Sequence, residues 1–334
     1  MTAAPPPGAW ARLRKNPVAL AAMALLALVI AFAFLGPLVF HAEPHTTSKD
    51  QFIPPTWFKD AEGITANFPT WSHPFGTDNN GRDVLARVME GARISLIVGL
   101  AGALISLVIG TSYGLVSGYA GGRTDALMMR FVEILYSIPR LIIIILATAA
   151  FDHSFKDWLN AGTHTLDLSF GKGEFFIISL GNFSFLVGYS KIIILILALG
   201  LIEWLTMARI VRGQVLALKN LQFVAAARAL GQSHTRIIVH HLLPNLTGIV
   251  IIYLTLTIPA VILDESFLSF LGLGIQAPQA SWGSLLADGA QVINPVRSFW
   301  WLLLFPAAVM SVTLLALNFL GDALRDALDP RARR

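Results

Sequence analysis

The sequence predicts an all-α membrane protein with six transmembrane helices and both termini in the cytoplasm. Three observations carry this. The 334 residues are 55% hydrophobic and only 13% charged, with a mean hydropathy of +0.66, outside the range of soluble globular domains. Six apolar runs can be counted, each near or above the ~20 residues needed to cross ~30 Å of hydrocarbon. Basic residues collect in alternate connecting segments, which sets the orientation.

The first run, Val18 to Phe40, follows Arg12, Arg14 and Lys15, which hold the N-terminus inside. Its apolar stretch is too long for a signal peptide and no small-residue cleavage site follows, so an uncleaved helix is expected. The second run is Ile94 to Tyr119. Gly110, Gly114 and Gly118 are spaced by four within it and share one helix face, which suits close helix packing or sliding. The third is Ile134 to Phe151 and the fourth Ile192 to Ile210. The fifth, Leu246 to Leu273, carries Pro259, Asp264 and Glu265, so a kink and a protein-buried outer end are expected. The sixth is Phe299 to Leu320. Phe175 to Val187 is apolar but short and broken by Gly181 and Asn182, and reads as an interfacial or re-entrant piece.

Six crossings put the Gly121–Arg130 loop, the Val211–Asn245 loop and the C-terminus on the side of the N-terminus. These segments hold Arg123, Arg130, Arg212, Lys219, Arg228, Arg236, Arg325, Arg331, Arg333 and Arg334, with Arg209 at the border. The outer segments mix both signs, as in Lys49, Asp50, Lys59, Asp60 and Glu62. The organisation is then a cytoplasmic N-terminus and first helix (1–40), an extracytoplasmic segment (41–90), a five-helix core (91–320) and a cytoplasmic tail (321–334). The core carries an extracytoplasmic insertion (152–190) and a cytoplasmic loop (211–245). The insertion contains GTHTLDLSFGKGE, which is turn-rich with some strand-like alternation.

The loop FVAAARALGQSHTRIIVHHLLPN, Phe223 to Asn245, reads as helix, turn, helix. Ala225, Ala226, Ala227 and Arg228 are strong helix formers, Gly231 suits a left-handed stop, and Ser233 can cap a second helix that Pro244 follows. The three alanines leave a bare face that another protein can approach. Upstream, HPFGTDNNGRD (73–83) is rich in turn formers with Asp78, Arg82 and Asp83 for local ion pairs. It caps the second helix or shapes a docking surface on the outer face, with the cap ahead. Glu133 and Glu203 are expected near the cytoplasmic interface. Asp264 and Glu265 are candidate pathway or gating residues, with pairing inside a buried turn favoured. Arg209 and Arg212 either support the loop or rest on anionic lipid headgroups.

Much chemistry is excluded. There is no cysteine, hence no disulfide or thiolate site. No phosphate-binding Gly-x-x-x-x-Gly-Lys-Ser/Thr occurs, and GKGE at 171–174 is not one. No His-Glu-x-x-His or nucleophile elbow occurs, and His73, His153, His164, His240 and His241 form no metal-ligand pattern. No cofactor, metal or nucleic-acid partner is expected.

HPFGTDNNGRDVLARVMEG, GYAGGRTDALMMR, the 223–245 loop, ESFLSFLGLGIQAPQASWGSLL and NFLGDALRDALDP, in this order, resemble the second-permease type of bacterial dipeptide and oligopeptide ABC importers. The resemblance spans nearly the whole chain and weakens at 41–70 and 152–190. It implies the type I ABC importer permease architecture in the inner membrane and a second permease subunit. It also implies one or two ATP-binding subunits that hydrolyse ATP, and an extracytoplasmic substrate-binding protein. In such permeases a Glu-Ala-Ala…Gly…Leu-Pro loop docks in a cleft of the ATPase and couples its closure to the switch between inward- and outward-facing states. Ala226, Ala227, Gly231, Leu243 and Pro244 match that pattern. Ala225 stands in place of the glutamate and His241 in place of an apolar residue. The same architecture also serves nickel chelates, peptide antibiotics and glycosides. An ion-coupled secondary transporter and a membrane-embedded enzyme are the readings from other classes. The first would need inverted repeats and paired mid-membrane charges, the second convergent catalytic groups.

Overall fold

The computed structural model describes residues 9–41, 43–57, 73–160, 163–170, 174–182, 184–293 and 298–328. Lys59, Asp60, Glu62, the Gly171–Gly173 turn, Pro330, Arg331, Arg333 and Arg334 lie outside the described residues. The helices are α1 (Ala9–Leu13), α2 (Pro17–Phe34), α3 (Gly36–Phe40), α4 (Val84–Ala120), α5 (Gly122–Ser137) and α6 (Arg140–Asn160). They continue as α7 (Ser190–Leu218), α8 (Gln222–Ala229), α9 (His234–Ile237), α10 (Leu243–Phe270), α11 (Trp282–Gln291) and α12 (Trp301–Leu328). Two strands, β1 (Thr163–Phe170) and β2 (Glu174–Asn182), pair antiparallel between α6 and α7.

Among the described residues, five segments are long and apolar enough to cross a membrane singly, and the α5–α6 pair makes a sixth if its two halves are one span. The chain is thus nearly all helical, as its composition predicts, with three departures from the sequence reading. The third apolar run is not one rod. It breaks at Ile138-Pro139, and the two helices meet at an 85° bend. Proline lacks the N–H that a continuing helix needs, and it pushes the residue before it out of the helical region; Ile138 is extended accordingly, with ψ 132°. Second, Phe175–Asn182 is strand rather than a re-entrant piece: it pairs antiparallel with β1, whose THTLDLSF sequence carries the alternation. Third, α4 begins at Val84, well ahead of the apolar run itself; the fifth helix, α10, carries Pro259 inside it.

Packing centres on α4, which runs along α7 and crosses α10, while α12 covers α2 and α10. The glycine face of α4 explains the α4–α7 contact. A Cβ on Gly110 would sit 2.6 Å from the Met207 Cβ, on Gly114 2.5 Å from the Ala208 carbonyl oxygen, and on Gly118 2.8 Å from the Val215 Cβ. Only hydrogen fits, and the two backbones close on each other, which is how helices gain dispersion contact where lipid removes the hydrophobic drive. The turn at 76–83 crowns one end of α4. Asp83 caps the helix by accepting from the Ala86 N–H at 2.8 Å, so the capping reading of HPFGTDNNGRD holds in detail. Asp78 is buried and accepts from the backbone of Asn80 and Arg82, from Arg82 Nε at 2.8 Å and from Arg87 Nη1 at 2.7 Å.

Candidate functional site

At the other end of α4 lies the 219–245 loop. α7 stops at Leu218, and Lys219 Nζ reaches back to the Gly118 carbonyl at 2.7 Å, tying the exit of α7 to the end of α4. Along α8, Val224 and Ala227 point inward onto Val215, Ile237, Leu242 and Leu246. Ala225, Ala226, Arg228 and Ala229 point outward. Of the alanines singled out by sequence, Ala227 is therefore an anchor, 3% exposed, while Ala225 and Ala226 form the bare face.

α8 ends in a paired-bond stop: the Gln232 N–H donates to the Ala227 carbonyl and the Gly231 N–H to the Arg228 carbonyl. This 6→1 and 5→2 pairing requires a left-handed residue at its hinge, and Gly231 supplies φ +72°. Ser233 then caps α9. A π-turn, Ile238–Leu242, joins α9 to α10 in a continuous helical run. The wider turn is the physical answer to Leu243-Pro244: a proline ring crowds the preceding turn of a regular helix, and one extra residue in that turn relieves it. Pro244 is exposed and Leu243 half-buried. His241, which replaces an apolar residue of the family pattern, bonds through Nε2 to Gln232 Oε1 at 2.8 Å, so it clips the glycine turn to the π-turn.

The basic residues divide. Arg228 lies over the Tyr119 ring at 5.4 Å, and Tyr119 Oη meets His234 Nδ1 at 2.8 Å. Arg209 stacks on Tyr136 at 3.9 Å. Arg212 is bidentate to Asp125 at 2.5 and 2.6 Å, and Ser117 donates to the same carboxylate at 2.6 Å. Arg209 and Arg212 thus have protein partners. Sequence reasoning passed over Asp125, which gave no pattern of its own. The Leu230 side chain stands out at 80% exposure on the rim of the glycine turn.

Within the bundle, the acidic residues are paired. Glu265 is fully buried. It accepts from Ser95 at 2.9 Å and Ser269 at 2.7 Å, with Ser266 at 3.3 Å, so three hydroxyls seal its carboxylate between α4 and α10. Asp264 Oδ1 accepts from Arg140 Nη2 at 2.8 Å, and Arg140 Nη1 reaches Glu203 Oε1 at 3.3 Å. Glu133 pairs at the surface with Arg130. Glu203, expected near the cytoplasmic interface, lies at the middle of α7. Arg140, hidden in an apolar run, was missed altogether. A guanidinium facing hydrocarbon at this depth costs about 3 kcal/mol on insertion scales, so the open side of Arg140 must face water or protein.

Comparison with known proteins bears on both regions. Residues 110–334 match the family described as binding-protein-dependent transport system inner membrane component. Residues 8–55 match the N-terminal TM domain of oligopeptide transport permease C. The chain is 42% identical over 327 residues to the dipeptide transport system permease protein DppC of Bacillus subtilis, covering 98% of this chain and 86% of that one. It is 42% identical to the oligopeptide transport system permease protein OppC of Haemophilus influenzae, covering 96% and 87%. To OppC of Escherichia coli it is 41% identical, covering 96% and 90%. With a matched segment of this length and relatives aligned almost end to end, the chain belongs to the family of binding-protein-dependent transport system inner membrane components and is a multi-pass inner-membrane ABC permease.

Proposed function

We propose that this chain is one of two permease subunits of an ABC importer for dipeptides or oligopeptides, driven by ATP hydrolysis on one or two partner subunits. An extracytoplasmic binding protein delivers the solute. The names of the relatives supply the solute class. The orientation with both termini and the 211–245 loop in the cytoplasm rests on the basic residues of those segments. No phosphate-binding loop exists in the sequence, so the ATPase work falls to another chain.

The single observation that carries the coupling role is the construction of the loop. It is an exposed Ala225–Ala226 face on a helix closed by the Gly231 stop, clipped by His241 and continuous with α10. A surface that must transmit motion has to be both accessible and stiff, and this one is. Ala225, Ala226, Arg228 and Gly231 form the contact. Ala227, His241, Leu243 and Pro244 hold it to the bundle. With alanine at 225, the ATPase cleft recognises shape, and Arg228 supplies the charge. Asp264 acts in the pathway through its ion pair with Arg140, whereas Glu265 fixes α10 against α4.

The test is a disulfide crosslink between Cys introduced at Ala226 or Ser233 and Cys on the partner ATPase. It should form in the transport-competent complex, and its formation should depend on nucleotide. A complex that imports normally but yields no crosslink from either position removes the loop from the interface.

A further inference from the structure

We infer that Arg140, Glu203 and Asp264 form a solute station inside the pathway, a site that reads the charged termini of a passing peptide. The inference rests on the peptide reading above and goes beyond it in naming the residues that touch the solute.

The three residues come from three helices. The break at Ile138-Pro139 starts α6 inside the bundle and puts Arg140 at its first position. Glu203 is near the middle of α7, roughly 20 Å from either end at ~1.5 Å rise per residue. Asp264 lies on α10. Arg140 bridges the two carboxylates, yet its side chain remains 54% exposed while those of Glu203 and Asp264 are 12% and 8% exposed. Arg140 and Glu203 line an open cavity of about 360 Å³ together with Tyr136, Ser137, Ile143 and Thr206.

The charge count leaves an excess. Two carboxylates share one guanidinium, so neither has a counter-charge to itself. Asp264 Oδ2 is buried without a hydrogen-bond partner among the described residues. A buried carboxylate oxygen left without a donor is costly and calls for a cation or donor that is present only part of the time. The guanidinium in turn has five N–H donors in a planar fork, of which Glu203 and Asp264 take one each, so its exposed edge can accept a further, third carboxylate. A ligand that supplies both a carboxylate and an ammonium matches this arrangement, and a peptide with free termini is such a ligand. The site is weak by construction, because Arg140 keeps its internal partners and the solute competes for them. A transit station must release what it holds.

The experiment uses the full importer with its binding protein and ATPases, and a radiolabelled tripeptide with free termini. A photoreactive p-benzoylphenylalanine at Ile143, on the cavity wall, leaves the charged trio intact. Under ATP turnover it should label with the tripeptide. The same substitution combined with Arg140→Gln should reduce labelling, counted per assembled complex, at least tenfold, and with Arg140→Lys only partly. Uptake of the tripeptide without any label at Ile143 would take the cavity off the pathway and overturn the inference, leaving the peptide reading intact. Equal labelling in the Arg140→Gln background would reduce the trio to an internal lock. If the unaltered importer takes up no peptide at all, the peptide reading falls first and this inference with it.

Discussion

The loops lying near the two ends of α4 hold glycine turns of nearly the same backbone geometry and opposite surroundings. At one end Gly76 and Gly81 have φ +79° and +69°, and at the other Gly231 has φ +72°. A Cβ on Gly76 would lie 2.5 Å from the Ile53 carbonyl oxygen, and one on Gly81 2.6 Å from Ser48 Oγ. A Cβ on Gly231 would meet nothing within 4 Å. The first turn is jammed against its own chain and welded by buried ion pairs; the second is equally well formed but stands free. A turn packed on all sides serves the protein that contains it. A stiff turn left bare is built for something else to press on.

The comparison can be broken most decisively at Asp78, which holds Arg82 and Arg87 in the buried turn. Asp78→Ala leaves two guanidiniums without that carboxylate and should cost about 3–5 kcal/mol. This would be read as a large fall in the thermal unfolding temperature of the purified complex and a poor yield in the membrane. Unchanged unfolding would mean that the turn is not a structural weld.

Gly81→Ala comes next. The left-handed φ costs roughly 1–2 kcal/mol for an L-residue, and the Ser48 segment must also move aside, which adds about 1 kcal/mol or more. Thermal unfolding should show the sum. Gly231→Val should cost only about the conformational part, roughly 1–2 kcal/mol, with little change in unfolding or assembly. Its effect falls on coupling instead: ATP hydrolysis should continue while solute uptake drops severalfold. Gly231→Asn, which tolerates the left-handed region, should keep most uptake. Normal uptake in Gly231→Val would show that the turn need not be stiff.

Much of this was legible in the sequence, and the illegible parts have physical reasons. Apolar runs mark helices because hydrocarbon demands them, so α2, α4, α7, α10 and α12 were each located. Gly231 and Ser233 were readable because stops and caps are local chemistry. The break at Ile138-Pro139 was written in the sequence as plainly as any other proline. It was overlooked because apolar residues continue on both sides of it, and hydropathy is blind to direction. The pairing of Arg140 with Glu203 and Asp264 could not be read at all: it spans 63 and 124 positions of chain and exists only once α6, α7 and α10 have packed. The same holds for Asp125 and Arg212, 87 positions apart.

The π-turn at Ile238–Leu242 has a mechanical consequence. Because it carries the helix past Pro244 instead of ending it, His234 to Phe270 is a single shaft of 37 residues, roughly 55 Å long at ~1.5 Å per residue. One end of that shaft joins the exposed loop proposed to dock the ATPase. Asp264, with its bond to Arg140, lies about 45 Å along it by the same rise. A continuous shaft can carry a displacement of its loop end, where α9 follows the Gly231 turn, toward the carboxylate that Arg140 holds. The loop and the solute station would then be the handle and the bit of one tool, turned together by each ATP cycle.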